Sequence, residues 1–115
     1  MGIAPAFAIP KALERAGLAP ADVDVWEVHE AYASVAVAIL RELPRELDGF
    51  EVPDERLNPN GGAVAIGHPF GSSGTRYVLT LATELRLREV RYGVLGVCVG
   101  SGQGVALVLE NPKAA

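Results

Sequence analysis

Apolar positions along the chain fall into blocks whose spacing changes from one block to the next. Ala6 to Ala16 repeats at helical intervals and stops at Gly17, a residue suited to the left-handed turn that closes a helix. Val23 to Val28 alternates instead, with Val23, Val25 and Glu27 on one side and Asp24, Trp26 and Val28 on the other, which predicts a strand. Glu30 to Leu43, rich in Ala and Val, predicts a second and deeply buried helix. Pro44 to Arg56 is charged and broken by prolines, so it reads as a surface loop. A short strand near Leu57 to Pro59 is expected to lead into Gly61-Gly62. Ser72 or Ser73 then stands where a cap belongs, ahead of a third helix to about Arg88 with Leu79, Leu81, Leu85 and Leu87 among its apolar positions. Tyr92–Val99 and Gln103–Glu110 read as two antiparallel strands joined by Gly100-Ser101-Gly102. The pattern defines an α/β protein with a mixed sheet.

Composition narrows the function. The 115 residues are enough for one domain, and half of them are apolar, so a core of ordinary size is expected. Acids outnumber bases 14 to 10 with no basic run, which argues against a nucleic-acid binder. One cysteine excludes an internal disulfide and any multi-cysteine zinc site. No apolar stretch is long enough to span a bilayer. Met1-Gly2 begins like a myristoylation signal, but Ala6 stands where that motif needs Ser or Thr. Lys11 follows the first apolar run and does not precede it, so a signal peptide is not expected either. These features predict a cytoplasmic protein.

Glycine is the informative excess. Ten of the 13 lie at or after Gly61, in two clusters, where backbone must turn sharply or approach a ligand. Two familiar motifs fail their context tests. Gly100-Ser101-Gly102-Gln103-Gly104 is followed by a predicted strand, whereas a dinucleotide fingerprint opens a helix. Gly67 to Thr75 has the glycines of a phosphate loop without its lysine. Nor do Ser72 and Ser73 sit in a nucleophile elbow, so helix capping is the expected role for them.

Three side chains carry reactive chemistry. His68 lies in Gly67-His68-Pro69 just before a helix, as a site residue or a plain surface histidine. His29 sits where a strand gives way to a helix, the usual place for functional groups in α/β folds. Alternatively it bonds a free backbone group at the helix entry. Cys98 ends an apolar strand before a glycine turn, either as a small buried hydrophobe or as a thiol activated by a histidine. The two histidines and the cysteine lack metal-ligand spacing, and no metal is expected.

Three stretches in order, His29-Glu30-Ala31-Tyr32, Asn60-Gly61-Gly62 through Gly67-His68-Pro69-Phe70-Gly71, and Cys98-Val99-Gly100 through Gly102-Gln103-Gly104, resemble the C-terminal half of the thiolase catalytic core. The match runs over nearly the whole chain. Most thiolases carry Asn where His29 stands. The histidine form, with Pro5-Ala6-Phe7-Ala8, the long Pro44–Arg56 excursion and Phe70, is similar to the thiolase β-subunits of fatty-acid oxidation complexes.

The resemblance implies cleavage of a 3-ketoacyl-CoA by free CoA, or the reverse condensation, with the CoA thioester as substrate and no cofactor. His68 would activate a nucleophilic cysteine and donate to the first oxyanion. Cys98 would exchange the α-carbon proton, and Gly100 would offer its backbone N–H to a second oxyanion, where a side chain is unwelcome. His29 would hold a water or donate directly. Ala31 and Tyr32 match the family's CoA contacts, with Tyr32 where Phe is usual.

The family's acylated cysteine lies in the N-terminal half, which these residues do not include, and Cys98 already has the proton-transfer role. Thiolysis is therefore not expected of the isolated chain. The resemblance also implies a five-stranded mixed sheet with helices on both faces, its first strand central and missing here. The strands at Val23–Val28 and Tyr92–Val99 would then close up, or a partner chain would insert a strand between them. An uncovered Glu30–Leu43 helix predicts association. Three readings follow. One is the C-terminal component of an acyltransferase, completed by an N-terminal thiolase half. The second is a non-catalytic scaffold or remnant that binds another CoA-enzyme subunit or itself. The last is a segment cut from a longer chain.

Overall fold

A computed structural model of the chain describes residues 2–114, so Met1, where the myristoylation test begins, lies outside the described residues. Helix α1 (Pro5–Ala16) starts on a proline and ends at Gly17, whose φ of 68° lies in the left-handed region. Ala6, Ile9 and Leu13 form its buried stripe. A 3₁₀ turn over Pro20–Asp22 delays the first strand, β1, to Val25–Val28. Val23 is buried but precedes β1, while Asp24 accepts the backbone N–H groups of Arg91 and Tyr92 at 3.0 and 2.9 Å.

Strands β2 (Tyr92–Val99) and β3 (Gln103–Glu110) complete a three-stranded sheet in the order β1-β2-β3. β1 runs parallel to β2 from Val25↔Gly93 to Val28↔Gly96, and β3 runs antiparallel to β2 from Tyr92↔Glu110 to Val99↔Gln103. No gap separates β1 from β2, so direct pairing is the arrangement adopted. The unpaired backbone groups lie instead on the outer edge of β3, where every residue is partly or fully exposed.

Helices cover both faces of the sheet. Trp26, Val28 and Val94 pack with α1 and with Ile39 and Leu43 of helix α2 (Ala33–Glu46). On the opposite face Val25 and Leu95 meet Tyr77, Leu81 and Leu85 of helix α4 (Ser73–Leu87). Two glycines of β2 permit this close approach from both sides. A Cβ on Gly93 would lie 2.6 Å from Leu81, and one on Gly96 would lie 2.6 Å from Ile9.

Several expectations are corrected. α2 begins at Ala33, because Glu30–Tyr32 turn away from the strand, and it continues through Pro44 to Glu46. A proline in the last turn removes one N–H without ending the helix. α2 is also not deeply buried: only Ile39 and Leu43 are, and Val37 is 49% exposed. Leu57 makes a single parallel bridge to Trp26 and no strand. Helix α3 (Ala63–Ile66) is one unforeseen turn. Leu79 and Leu87 face outward, and no serine side chain caps α4.

Candidate active site

Parallel pairing brings the C-terminal ends of β1 and β2 side by side, and the three sequence motifs meet there. His29 follows β1 and extends the ladder by one bond, its N–H donating to the Gly96 carbonyl at 2.9 Å. It keeps the alternation of the strand, so its side chain faces α4 like those of Val25 and Glu27. Its imidazole is 1% exposed, and Nδ1 lies 2.9 Å from the Tyr77 hydroxyl. His29 therefore bonds a side chain on α4 and not a free backbone group.

His68 arrives from the turn before α4. Its Nδ1 lies 2.7 Å from Ser73 Oγ, and that hydroxyl donates to the Pro69 carbonyl at 3.1 Å. The two imidazole centroids are 4.3 Å apart, with planes inclined at 59°. Phe70 lies 4.9 Å from the His68 ring, yet is 89% exposed.

Three side chains hold the loops to the strand ends. The Glu30 carboxylate accepts from Asn58 Nδ2 at 3.2 Å and from the Val64 N–H at 3.0 Å, tying α3 to the end of β1. Asn58 accepts the Val28 N–H and donates to the Val28 carbonyl, acting as a one-residue strand. Arg76 donates to the Gly67 carbonyl at 2.7 Å, fixing the turn that carries His68.

The remaining predicted residues share this end of the molecule. Cys98 is half-buried near the end of β2, paired with Gly104, and its thiol is free. No hydrogen bond joins it to either imidazole among the described residues. Gly100 begins the exposed 3₁₀ turn after β2, where Ser101 takes a left-handed φ of 69°. A Cβ at Gly100 would meet nothing within 4 Å, so the chain itself gives no steric reason for glycine there. Ala31 is half-buried and Tyr32 is 65% exposed in the turn before α2.

Burial sets the charge states. Desolvation pushes the His29 imidazole below the usual histidine range, and the neighbouring His68 pushes in the same direction, so His29 is neutral at pH 7. Burial raises the Tyr77 hydroxyl and keeps it a phenol. Glu27, beneath His29 on the same face, is raised to about 7, first by desolvation and then by Glu84 and Glu30. Its Oε1 has no hydrogen-bond partner among the described residues. No cluster of three or more metal-binding side chains occurs among the described residues. The chemistry on hand is that of two imidazoles, the buried one neutral, with a thiol and exposed backbone N–H groups.

Sequence reasoning missed Ser73, Tyr77, Glu27, Glu30 and Asn58. Ser73 and Tyr77 head the buried stripe that Leu81 and Leu85 continue. Polar residues opening an otherwise apolar stripe were the signal available.

Residues 1–111 match the family model described as the C-terminal domain of thiolase. The chain is 50% identical over 113 residues to human peroxisomal 3-ketoacyl-CoA thiolase, covering 97% of this chain and 25% of that protein. It is 46% identical to the 3-oxoadipyl-CoA/3-oxo-5,6-dehydrosuberyl-CoA thiolase of Escherichia coli K12, covering 96% of this chain and 26% of that one. Among solved structures, an acetyl-CoA acetyltransferase from Syntrophomonas wolfei superposes with a TM-score of 0.89 at 37% identity, over 95% of this chain and 27% of that one. Human mitochondrial 3-ketoacyl-CoA thiolase in complex with CoA superposes with a TM-score of 0.83 at 42% identity, over 96% of this chain and 26% of that one. The chain belongs to the thiolase family as its C-terminal domain. It spans about a quarter of the length of these relatives.

Proposed function

We propose that the chain is the C-terminal component of a thiolase-type acyltransferase, which cleaves a 3-ketoacyl-CoA with CoA or runs the reverse condensation. The carrying observation is the pair of histidines, 4.3 Å apart, at the end of the parallel strands that also carry Cys98 and Gly100. Thiolysis needs a base to take a thiol proton, donors for two thioester oxygens that gain negative charge, and an acid for the α-carbon released when the carbon–carbon bond breaks. His68 serves as the base and the first donor. Cys98 supplies and removes the α-carbon proton. The Gly100 N–H stabilises the second oxyanion, aided by His29 directly or through a water, and Ala31 and Tyr32 contact CoA. Residues 1–115 constitute one C-terminal thiolase domain, and the acylated cysteine comes from polypeptide outside them.

Two features fit a completing N-terminal half as the partner, rather than another subunit or a second copy of this chain. Tyr32 and Phe70 on the loops, Val64 and Ile66 on α3, and Val99 at the end of β2 are all at least 40% exposed, an apolar collar that a covering chain would bury. The outer edge of β3, beside a groove of about 790 Å³ lined by Ile3, Phe7 and Val105, offers unpaired backbone groups to an added strand. Any inserted strand therefore belongs at that edge and not between β1 and β2.

The test is reconstitution with a polypeptide carrying an N-terminal thiolase half, followed by CoA-dependent cleavage of a 3-ketoacyl-CoA. Activity is expected only in the complex, and Cys98→Ala or His68→Ala should lower kcat at least about a hundredfold. A complex whose activity ignores both substitutions would leave the chain as a scaffold.

A further inference from the structure

Side-chain hydrogen bonds make the two imidazoles of the site chemically unlike, and the residues responsible are Tyr77 and Ser73. Both side chains lie in the buried stripe of α4, one turn apart. Each meets the Nδ1 atom of a different histidine. Which ring nitrogen carries the proton follows from where the hydroxyl protons go.

Tyr77 is 2% exposed, and His29 Nδ1 is the only acceptor in hydrogen-bond contact with its hydroxyl among the described residues. The Arg76 guanidinium, 5.1 Å over the Tyr77 ring centroid, can only donate and so offers the phenolic O–H no acceptor. If Nδ1 held a proton and pointed it at that oxygen, the phenolic O–H would be buried with no acceptor, an unfavourable arrangement. The satisfied arrangement is O–H to Nδ1. Nδ1 is then the bare nitrogen of His29, and its single proton sits on Nε2.

Ser73 works the other way. Its hydroxyl proton goes to the Pro69 carbonyl at 3.1 Å, a back-bond to the residue four positions earlier. The oxygen, 2.7 Å from His68 Nδ1, is left to accept. With Nδ1–H donating, the pair makes two hydrogen bonds, whereas the reversed proton makes only one. Nδ1 therefore holds the proton of His68, and its Nε2 is bare.

We infer that Tyr77 and Ser73 are positioning residues that lock His29 and His68 into opposite tautomers. His29 then presents Nε2–H as a donor, and His68 presents Nε2 as a base. The division of labour between the rings is thus built on α4 and does not depend on substrate. Its catalytic consequence rests on the thiolase reading, but the tautomers themselves do not.

The chain has two histidines, which makes the test direct. Long-range proton–nitrogen NMR on the 15N-labelled chain, above the histidine titration range, reads each ring separately, and His68→Gln assigns the signals. The expected result is a protonated Nε2 on His29 and a protonated Nδ1 on His68. Tyr77→Phe should turn His29 into a mixture of tautomers and leave His68 unchanged, and Ser73→Ala should do the converse. The same tautomer on both rings, or a Tyr77→Phe spectrum identical to the parent, would overturn the proposal. If Tyr77→Phe does not fold, the parent spectrum and Ser73→Ala still decide. In the reconstituted enzyme Tyr77→Phe should lower kcat roughly tenfold with KM little changed. A complex without activity sinks the thiolase reading and leaves the NMR result standing.

Discussion

The two faces of the sheet are built on different principles. On one face Trp26, Val28 and Val94 meet α1 and α2 in a core of apolar side chains, where the Trp26 indole N–H is buried without a partner among the described residues and Phe50 stacks 5.8 Å from the ring. The other face starts in the same way, with Val25 and Leu95 against Leu81 and Leu85, and then becomes polar toward the strand ends. Glu27, His29, Tyr77, Ser73 and Glu84 are all at most 9% exposed there. The first face holds the fold together through burial. The second gives up part of that burial to place hydrogen-bonding groups beneath the histidines, where low exposure raises the energetic consequence of each partner.

Breaking the apolar face should have the largest effect. Trp26→Ala removes a fully buried indole from the middle of the first core and should destabilise the chain by about 3–5 kcal/mol. Denaturant unfolding checks it, and a change below about 1 kcal/mol would mean that this face is not the main source of stability.

Glu27 sharpens the contrast through pH. Its folded-state value of about 7 lies above the ordinary 4.5, so the folded chain binds this proton more tightly than the unfolded one. The stability it contributes is fully present below about 4.5 and is lost as pH rises through about 7. At about 1.4 kcal/mol per unit, the loss is about 3 kcal/mol. Glu27→Gln cannot ionise, so its stability relative to the parent should grow between pH 5 and 8 by about that amount. A difference that stays flat across this range would show that Glu27 is charged throughout. Substitutions on the Trp26 face should show no such pH dependence.

The same contrast explains what was legible in the sequence. β2, β3 and the end of α1 were readable because alternation and glycine stops are local signals, and parity separated Trp26 and Val28 from Val25, but Val23, expected beside Val25, lies before the strand and packs with Trp26. The start of α2 was not readable: the turn at Glu30–Tyr32 is held by Glu30 bonds to Asn58 and Val64, about thirty residues away. At the site, His29, His68, Cys98 and Gly100 stood out by residue type and glycine context. Tyr77 did not, because its partner is 48 residues distant and its position reads as core. Ser73 looked like a cap, since a serine before a helix bonds locally in either role.

Asn58 gives the smallest effect and the most local one. Its amide satisfies both the Val28 N–H at 2.8 Å and the Val28 carbonyl at 3.0 Å, on the side of β1 that β2 does not cover. Asn58→Ala leaves both groups unpaired at a buried residue and should cost about 1–3 kcal/mol, measured by the same unfolding transition. Asn58→Asp separates the hydrogen-bond role from size. The carboxylate still accepts from the Val28 N–H, but it turns an acceptor toward the Val28 carbonyl and a charge toward Glu30, so at neutral pH it should be at least as damaging as alanine. It should recover as pH falls and the new carboxyl gains a proton to donate. Equal stability of Asn58→Ala and the parent would mean that water replaces the side chain, and that the end of β1 is held by β2 and Glu30 alone.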